Sequence, residues 1–509
     1  MRAKRFIYNT LLLTIASLVI RGIGLMFQVY LSNKIGAEGI GLFQLIMSVQ
    51  VLAVTFAVSG IRYAVCRLVS EEIGLDNPAG IRAAVKRCIG YALCFGSAAC
   101  LILFFGAYRI GAIWVGDKRT VLSLRILAFT MPLIALSSVM GGYFTAVQRI
   151  VKFSSSQILE YLIRFFVVML LLGLVPPGNL EYACAAVSVG NLLGEILSLA
   201  FVMTLYFFDV RRYGKARKKH PGMTGRMLRI ALPMALSAYA RTALGTLQHL
   251  LVPKGLQKSG ASPETSLAAY GTISGMVLPV VLFPIAIFQS VSEMIVPDLT
   301  EAQMRGDSAL CSRIVNRTLT ICLFFSIGVF GVFFAFAREL GLAVYKASAP
   351  GYFIRIFSPL VIVMYMDTVA DGMLKGLGQQ MHSMVYNIID ALTSVIMVYF
   401  LLPRYAVTAY VFTIFFTETL NFALTIKRLT KVVEVSVPLR DIVLPFLCIA
   451  GAVNFSLLLL RLIGLPISPA PLVIAVHMLL TLLLYYMLLR LFSCLTSSDV
   501  RLFAALFKQ

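Results

Sequence analysis

An arginine lies at the centre of the first long apolar run of this sequence, residues 7–31. Placing Arg21 at the middle of a bilayer would cost about 2.5–3.5 kcal/mol or more. On a helix, Ser17, Arg21, Gly24 and Gln28 fall on one face, and the opposite face is apolar. This pattern predicts a membrane helix whose polar face lines a cavity, and a cationic cavity suits an anionic ligand.

The same pattern recurs later in the chain. Shifting the sequence by 220 positions places Arg241 on Arg21 and Gln248 on Gln28. Arg62 continues a polar stripe of the second apolar segment. We therefore predict that these three arginines and two glutamines bind substrate. The alternative is that the arginines form structural ion pairs, or that Arg62 extends to the membrane surface.

Five further charged residues fall inside apolar segments. Glu195 has no local partner, and Asp367 and Asp371 are one helical turn apart. These three acids are predicted to line the cavity or to take up a coupling cation, Na⁺ or H⁺. Glu160 and Arg164 are also one turn apart and are predicted to form an internal ion pair. For Asp371, the alternative is a bridge to the lysine one turn later.

Two other predictions concern the ends and breaks of helices. Glu293 and Glu418 lie toward the ends of their apolar segments and are predicted to be solvated. Pro279 and Pro284 interrupt the eighth segment and are predicted to break or bend its helix.

The composition is that of an integral membrane protein. Of the 509 residues 60% are hydrophobic and 13% charged, and the mean hydropathy is +0.91. The formal net charge of +22 does not indicate nucleic acid binding, because the basic residues gather in loops on one side. The nine cysteines include no CxxC pair and predict neither a metal site nor a disulfide framework.

The apolar segments predict an all-α polytopic protein with about 14 transmembrane helices. The excess of Lys and Arg in alternate loops predicts a cytoplasmic-membrane protein with both termini in the cytoplasm. The basic stretch after the sixth segment predicts a linker between two pseudo-symmetric six-helix lobes. The predicted divisions are a first lobe at 1–210, a basic linker at 211–228, a second lobe at 229–430, and two additional helices with a tail at 431–509.

The chain resembles the multidrug/oligosaccharidyl-lipid/polysaccharide exporter superfamily, in the branch of stage V sporulation protein B and the lipid II flippases. The resemblance rests on the order of IGAEGIGLFQL (35–45), GIRYAVCRLVSEE (60–72), SSVMGGYFTAVQ (137–148) and SQILEYLIR (156–164). It implies two lobes in a V around a cavity that opens alternately to either side, and two extra helices that form a groove for a polyprenyl tail. Arg21 and Arg62 match cationic positions of the family.

The function that the resemblance implies is a flippase for a polyprenyl-diphosphate-linked saccharide, such as the peptidoglycan precursor lipid II. The expected partners are this substrate, membrane lipid and cell-wall synthesis enzymes, with no nucleic acid, no cofactor and no metal. No enzyme signature is present in the sequence. The alternatives are a cation-coupled multidrug antiporter of the same superfamily and a membrane-embedded polysaccharide polymerase.

Overall fold

The structure is a computed structural model that describes residues 2–75, 77–176, 178–211, 223–462, 464 and 470–494. Most of the predicted basic linker therefore lies outside the described residues. Several side chains inside helices are also outside the description, namely those of residues 2–18 and of Ile150, Ser237, Ser290, Val291, Glu293, Met294, Pro297 and Asp298. The predictions for Ser17 and Glu293 fall among these side chains.

The described residues form α-helices and no strands, which confirms the predicted all-α class. In chain order the first nine helices are α1 (Arg2–Val58), α2 (Ile61–Gly74), α3 (Pro78–Arg109), α4 (Val121–Ala128), α5 (Thr130–Ala146), α6 (Ile150–Leu174), α7 (Leu180–Val210), α8 (Met223–Lys258) and α9 (Pro263–Tyr270). The remaining helices are α10 (Leu278–Leu282), α11 (Ile285–Met304), α12 (Ser308–Tyr345), α13 (Ser348–Phe357), α14 (Leu360–Gly376), α15 (Gln380–Val432), α16 (Arg440–Leu462) and α17 (Pro471–Leu491).

The helical segments are long and apolar enough to make this a multi-pass membrane protein. Within the described ranges, nine helical segments could cross a membrane, or eleven if each of two bent pairs is one span. Two of the nine, Val19–Gly74 and Gln380–Val432, have 56 and 53 residues. At about 1.5 Å per residue each exceeds twice the bilayer core of about 30 Å. Each is therefore two spans in sequence.

These two long segments are broken where the backbone enters the left-handed region. Gly36 has φ of 71°, a conformation that glycine adopts without steric cost. Ala406 has φ of 51° and follows Pro403, which has no backbone N–H to donate. Dividing the two segments at these breaks adds two spans to the nine or eleven of the described residues. Helix α8 is not among these candidate spans, and the total of about 14 stays a prediction.

The helices group into two compact units. Unit 1 comprises Met1–Phe27, Lys34–Lys254 and Ser262–Ala268, and unit 2 comprises Gln28–Asn33, Gly255–Ala261 and Ala269–Gln509. In unit 1, α5 packs on α2 and α3, and α6 packs along α7. In unit 2, α14 packs on α11 and α15, and α16 and α17 pack on α12 and on each other. Most of α8 belongs to unit 1, although the predicted repeat assigns it to the second lobe. The predicted domain boundaries stay predictions.

The two units repeat the same helix pattern with a spacing of 230 residues. The helices α2 and α11 end at 74 and 304, α3 and α12 begin at 78 and 308, and α6 and α15 begin at 150 and 380. The turns agree as well. Gly116 and Lys346 both have positive φ, and so do Gln148 and Gly378. This register, read from the backbone, supports an internal duplication with a spacing of 230 residues. It differs from the shift of 220 that paired Arg21 with Arg241, and that pairing stays a prediction.

The predicted break in the eighth segment is present and its free carbonyls have side-chain partners. A π-helical turn, Gly271–Val277, joins α9 to α10 and is followed by Pro279. The proline cannot donate to the carbonyl of Gly275 four residues earlier, and the amide of Gln28 donates to that oxygen at 2.8 Å. Tyr345 donates to the carbonyl of Met276 at 2.7 Å. Side-chain hydrogen bonds within unit 2 therefore stabilise the break in this helix.

Candidate functional site

The three predicted substrate-binding arginines all lie in unit 1 with exposed side chains. Arg21 is in α1, Arg62 is in α2 and Arg241 is in α8. The guanidinium of Arg62 stacks over the ring of Phe153 at 5.3 Å, which holds it against α6. An exposed arginine within a membrane helix must face water, a polar partner or an anionic ligand, because lipid cannot solvate it.

Arg241 is positioned by a polar contact line between α8 and the second half of α1. The hydroxyls of Thr55 and Thr242 are 3.3 Å apart, and the hydroxyl of Thr246 donates to the carbonyl of Ser48 at 3.0 Å. Thr242 and Thr246 are one turn apart and define the packed face of α8. Arg241 precedes Thr242 by one residue, about 100° around the helix, which leaves its side chain exposed.

The two predicted glutamines have different surroundings. The side-chain amide of Gln28 donates a hydrogen bond to the carbonyl oxygen of Gly275. In this conformation the amide nitrogen of Gln28 therefore stabilises the fold. Gln248 is half-buried in α8, two turns from Arg241. The role of both residues in substrate binding stays a prediction.

Unit 1 holds a compact group of two carboxyl groups and one guanidinium between α5, α6 and α7. Arg164 donates to Glu160 one turn earlier, so the structure brings the predicted ion pair together. Glu195 is 6% exposed, and its Oε1 has no hydrogen-bond partner. Its carboxyl group is within electrostatic range of both Glu160 and Arg164, and the hydroxyl of Ser137 lies against it. The guanidinium of Arg164 is therefore the positive charge that lies near both carboxyl groups.

Unit 2 holds a second acidic group, centred on Asp367 in α14. Asp367 is 9% exposed and accepts a hydrogen bond from the amide of Asn421 at 3.0 Å. Its other oxygen, Oδ1, has no hydrogen-bond partner. Asp371 differs from it, because Lys375 lies 2.6 Å away and the hydroxyl of Ser383 donates to it. The predicted alternative for Asp371, a bridge to the lysine one turn later, is therefore present in the structure.

Two acids join the group around Asp367 that the sequence prediction did not select. Asp390 and Glu418 are half-buried in α15, and both are within electrostatic range of Asp367. The prediction that Glu418 is solvated near a membrane surface is wrong, because α15 turns it inward. A sequence signal was available, since Glu418, Asn421 and Thr425 are spaced three and four apart and share one helix face.

The acidic groups do not form a conventional metal centre. In the ranges that the structure describes, no three side chains among His, Cys, Asp and Glu are arranged to hold a metal ion. In the group around Asp367, three carboxyl groups lie within electrostatic range of one another, and none of them forms an ion pair with an arginine or lysine among the described residues. Buried negative charge of this kind requires a proton or a cation as a counter-charge.

Known proteins with a similar sequence include a sporulation protein and a lipid II flippase. Stage V sporulation protein B of Bacillus subtilis (strain 168) is 25% identical over 458 residues, which cover 88% of this chain and 88% of that protein. The lipid II flippase MurJ of the same organism is 21% identical over 427 residues, covering 78% of this chain and 77% of its own. The names of these relatives describe no enzyme, which agrees with the prediction that the chain is not one.

Solved structures show the same fold. A lipid II flippase MurJ in an inward closed conformation aligns with a TM-score of 0.68 at 14% identity, over 94% of this chain and 98% of that one. An inward-facing multidrug resistance transporter of the MATE family aligns with a TM-score of 0.63 at 14% identity, over 82% of this chain and 98% of that one. These matches confirm the predicted fold. The profile of the family described as polysaccharide biosynthesis protein matches residues 6–303, more than half of the sequence, and the chain therefore belongs to that family.

Proposed function

We propose that this protein moves a polyprenyl-diphosphate-linked saccharide from the inner to the outer leaflet of the cytoplasmic membrane by alternating access. The observation that carries the proposal is the set of exposed arginines, Arg21, Arg62 and Arg241, inside membrane helices of unit 1. Guanidinium groups bind phosphate oxygens with paired, charge-assisted hydrogen bonds. A diphosphate that leaves water needs such partners. The lipid II flippase among the relatives supports this substrate class.

The direction of movement agrees with the membrane potential. An inside-negative potential favours outward movement of an anionic head group by about 2.3 kcal/mol per charge per 100 mV. Pairing of the head group with arginines does not cancel this electrical free energy over a full transport cycle. The arginines move back when the empty protein returns to its starting conformation, so only the charge of the substrate crosses the membrane. Export of the diphosphate thus needs no coupling ion in principle, although a coupling ion can still set the direction of the cycle.

We propose that any coupling cation, H⁺ or Na⁺, is taken up in unit 2 by the group around Asp367, with Asp390 and Glu418. These three acids lack the positive partner that Asp371 has in Lys375. Glu195 is the corresponding candidate in unit 1. The proposal also keeps the sequence-based prediction that cell-wall synthesis enzymes are partners of this protein.

The second candidate function is a cation-coupled multidrug antiporter. The structural similarity to the MATE transporter and the acids of unit 2 favour it. The two functions differ in the charge of their ligands, because a drug cation would be repelled by the exposed arginines of unit 1. A polymerase is a weaker alternative, since neither the sequence nor the described residues provide a site for glycosyl transfer.

The experiment that tests the proposal compares these substrates directly. Purified full-length protein is placed in proteoliposomes with fluorescent lipid II, with undecaprenyl diphosphate bearing a single sugar, or with a cationic dye. Translocation of one of the diphosphate lipids without dye transport supports the flippase. Dye transport driven by a Na⁺ or H⁺ gradient without lipid translocation contradicts it and supports the antiporter.

A further inference from the structure

The ring of Phe153 supports the side chain of Arg62, one of the three exposed arginines of unit 1. Arg62 is in α2 and Phe153 is in the first turn of α6. The Cζ atom of Arg62 lies 5.3 Å from the centroid of the ring. Phe153 is only 6% exposed, so its surroundings fix the ring, and the exposed arginine lies on a fixed surface.

A glycine of α5 makes room for this ring. A Cβ atom on Gly141 would lie 2.8 Å from Cζ of Phe153 and 3.1 Å from each of its Cε atoms, so a larger residue would displace the ring. The next residue, Gly142, lets the backbone of α2 approach, because its Cβ would lie 2.5 Å from the carbonyl oxygen of Arg62. Two consecutive glycines thus bring the backbone of Arg62 and the ring of Phe153 against α5.

The second copy of the internal repeat has different side chains at all three positions. The residues 230 positions later are Ser292 for Arg62, Asp371 for Gly141 and Ser383 for Phe153. In unit 2 the hydroxyl of Ser383 donates to Asp371, so a hydrogen bond replaces the contact between glycine and ring. The copy with an arginine has the aromatic contact, and the copy with a serine at that position does not.

An aromatic ring holds an arginine in a different way from a carboxylate. The face of the ring attracts the positive charge but accepts no conventional hydrogen bond from the guanidinium, so the N–H donors remain available. In the same unit, Arg149 and Arg164 donate to the carboxylates of Asp209 and Glu160. A guanidinium that a ring holds keeps both its charge and its paired donors for phosphate oxygens.

We propose that Phe153, packed on Gly141, is a positioning residue that holds Arg62 in the orientation in which it binds the diphosphate. This inference rests on the proposed function. Phe153 itself makes no contact with the substrate in this account and acts through Arg62 alone. Removing the ring therefore weakens diphosphate binding although every arginine is still present.

The test is a double-mutant cycle in a binding measurement. Full-length wild type, Phe153→Leu, Arg62→Ala and the double variant are purified in detergent and titrated with geranylgeranyl diphosphate. Geranylgeraniol, which has the same tail without the charge, is the reference ligand. A ligand that binds the folded state raises the thermal unfolding midpoint, so each titration gives an apparent Kd. Phe166→Leu is the matched control, because it is the same substitution in α6 at a ring that is 57% exposed.

We expect the diphosphate, but not the alcohol, to raise the midpoint of the wild type until one site is saturated. The apparent Kd should increase about threefold to tenfold in Phe153→Leu and at least as much in Arg62→Ala. The double variant should bind like Arg62→Ala alone, because the ring then has no arginine to position. Phe166→Leu should bind like the wild type.

The variant Gly141→Ala separates positioning from packing. Its methyl group displaces the ring, so both the unfolding midpoint and the affinity should fall. Adding Phe153→Leu should restore the midpoint, since the smaller side chain relieves the overlap, but it should not restore the affinity. If Phe153→Leu does not fold, Phe153→Met, with a flexible unbranched side chain, takes its place.

Two results would overturn the inference and leave the proposed function intact. One is wild-type affinity in Phe153→Leu together with a loss in Arg62→Ala. The other is losses that add in the double variant, because Phe153 would then act independently of Arg62. A wild type that binds the diphosphate no better than the alcohol would contradict the proposed function itself, and this inference with it.

Discussion

At the scale of single residues, the structure separates buried charges that hold the fold from charges that are exposed. Asp209 has a fully buried carboxyl group that accepts hydrogen bonds from Arg149, from Lys152 at 3.2 Å and from Tyr143 at 2.9 Å. These residues join α5, α6 and α7 at one end of unit 1. Arg21, Arg62 and Arg241 belong to the other class, because their side chains are exposed within membrane helices.

We predict that Asp209→Asn destabilises the protein by about 1.5–3 kcal/mol, the usual contribution of a hydrogen bond to a charged group, because Arg149 and Lys152 are about one third exposed and stay solvated without the carboxylate. The measurement is the loss of folded protein on heating in detergent, followed by size-exclusion chromatography. Glu301→Gln is the control, since Glu301 pairs with Arg305 at the surface and should contribute less than about 1 kcal/mol. Equal midpoints for the two variants would contradict the assignment of Asp209 to the fold.

Residue identity alone predicted which charges are in the membrane, but it did not predict their partners. The spacing of Glu160 and Arg164 was sufficient to pair them, because residues one turn apart meet on any helix. Asp390 and Glu418 required the fold, since they reach Asp367 from two separate halves of α15. Contacts between distant segments are not encoded in local periodicity.

At the scale of helices, close packing fixes the position of Arg62. A Cβ atom on Gly142 would lie 2.5 Å from the carbonyl oxygen of Arg62, so α5 can approach α2 only with glycine there. The equivalent glycine of unit 2, Gly372, would place a Cβ 2.7 Å from that of Ser292, 230 residues after Arg62. The pair of contacts explains why glycine occurs at this position in both copies.

We predict that Gly142→Ala costs about 1–3 kcal/mol of stability through overpacking and lowers transport by displacing Arg62. Gly90→Ala is the matched control, because a Cβ on Gly90 meets no atom within 4 Å and alanine favours a helix over glycine by about 1 kcal/mol. The measurements are the unfolding midpoint and the translocation rate. A Gly142→Ala protein as stable and active as Gly90→Ala would contradict the packing argument.

The contact line between α1 and α8 gives a second prediction at this scale. Cysteines at Thr55 and Thr242, in a background without native cysteines, should form a disulfide, since the two native hydroxyls are 3.3 Å apart. If α8 separates from unit 1 during alternating access, the oxidised protein should lose at least about 90% of its transport and regain it with dithiothreitol. Full transport by the cross-linked protein would show that α8 moves together with unit 1.

At the scale of the whole molecule, hydropathy predicted the class, and the repeat predicted much of the layout. The apolar runs predicted separate spans inside Val19–Gly74 and Gln380–Val432, and the backbone conformation at Gly36 and Ala406 places a break in each. Helix α8 shows the limit of a repeat read from sequence. Its position in the duplication indicates the second lobe, whereas its side-chain contacts in the structure are with unit 1.

The substrate proposal also predicts a response to membrane potential. An inside-negative potential of 100 mV, set by a K⁺ gradient and valinomycin, should accelerate export of a doubly charged diphosphate lipid and slow its return, with an upper limit of about 4.6 kcal/mol from two charges. Initial rates in each direction measure this effect. Slower export under an inside-negative potential would indicate that net positive charge moves outward with the substrate.

The central claim is that exposed arginines in membrane helices bind the diphosphate. The most direct test measures lipid II translocation by the variants Arg21→Ala, Arg241→Ala, Arg21→Lys and Arg241→Lys. Arg305→Ala, in the turn after α11, is the control for loss of an exposed arginine. We expect at least a tenfold loss in both alanine variants, partial activity in the lysine variants and normal activity in the control, with all proteins equally folded and inserted. Wild-type rates in Arg21→Ala and Arg241→Ala would contradict the claim and make both arginines structural.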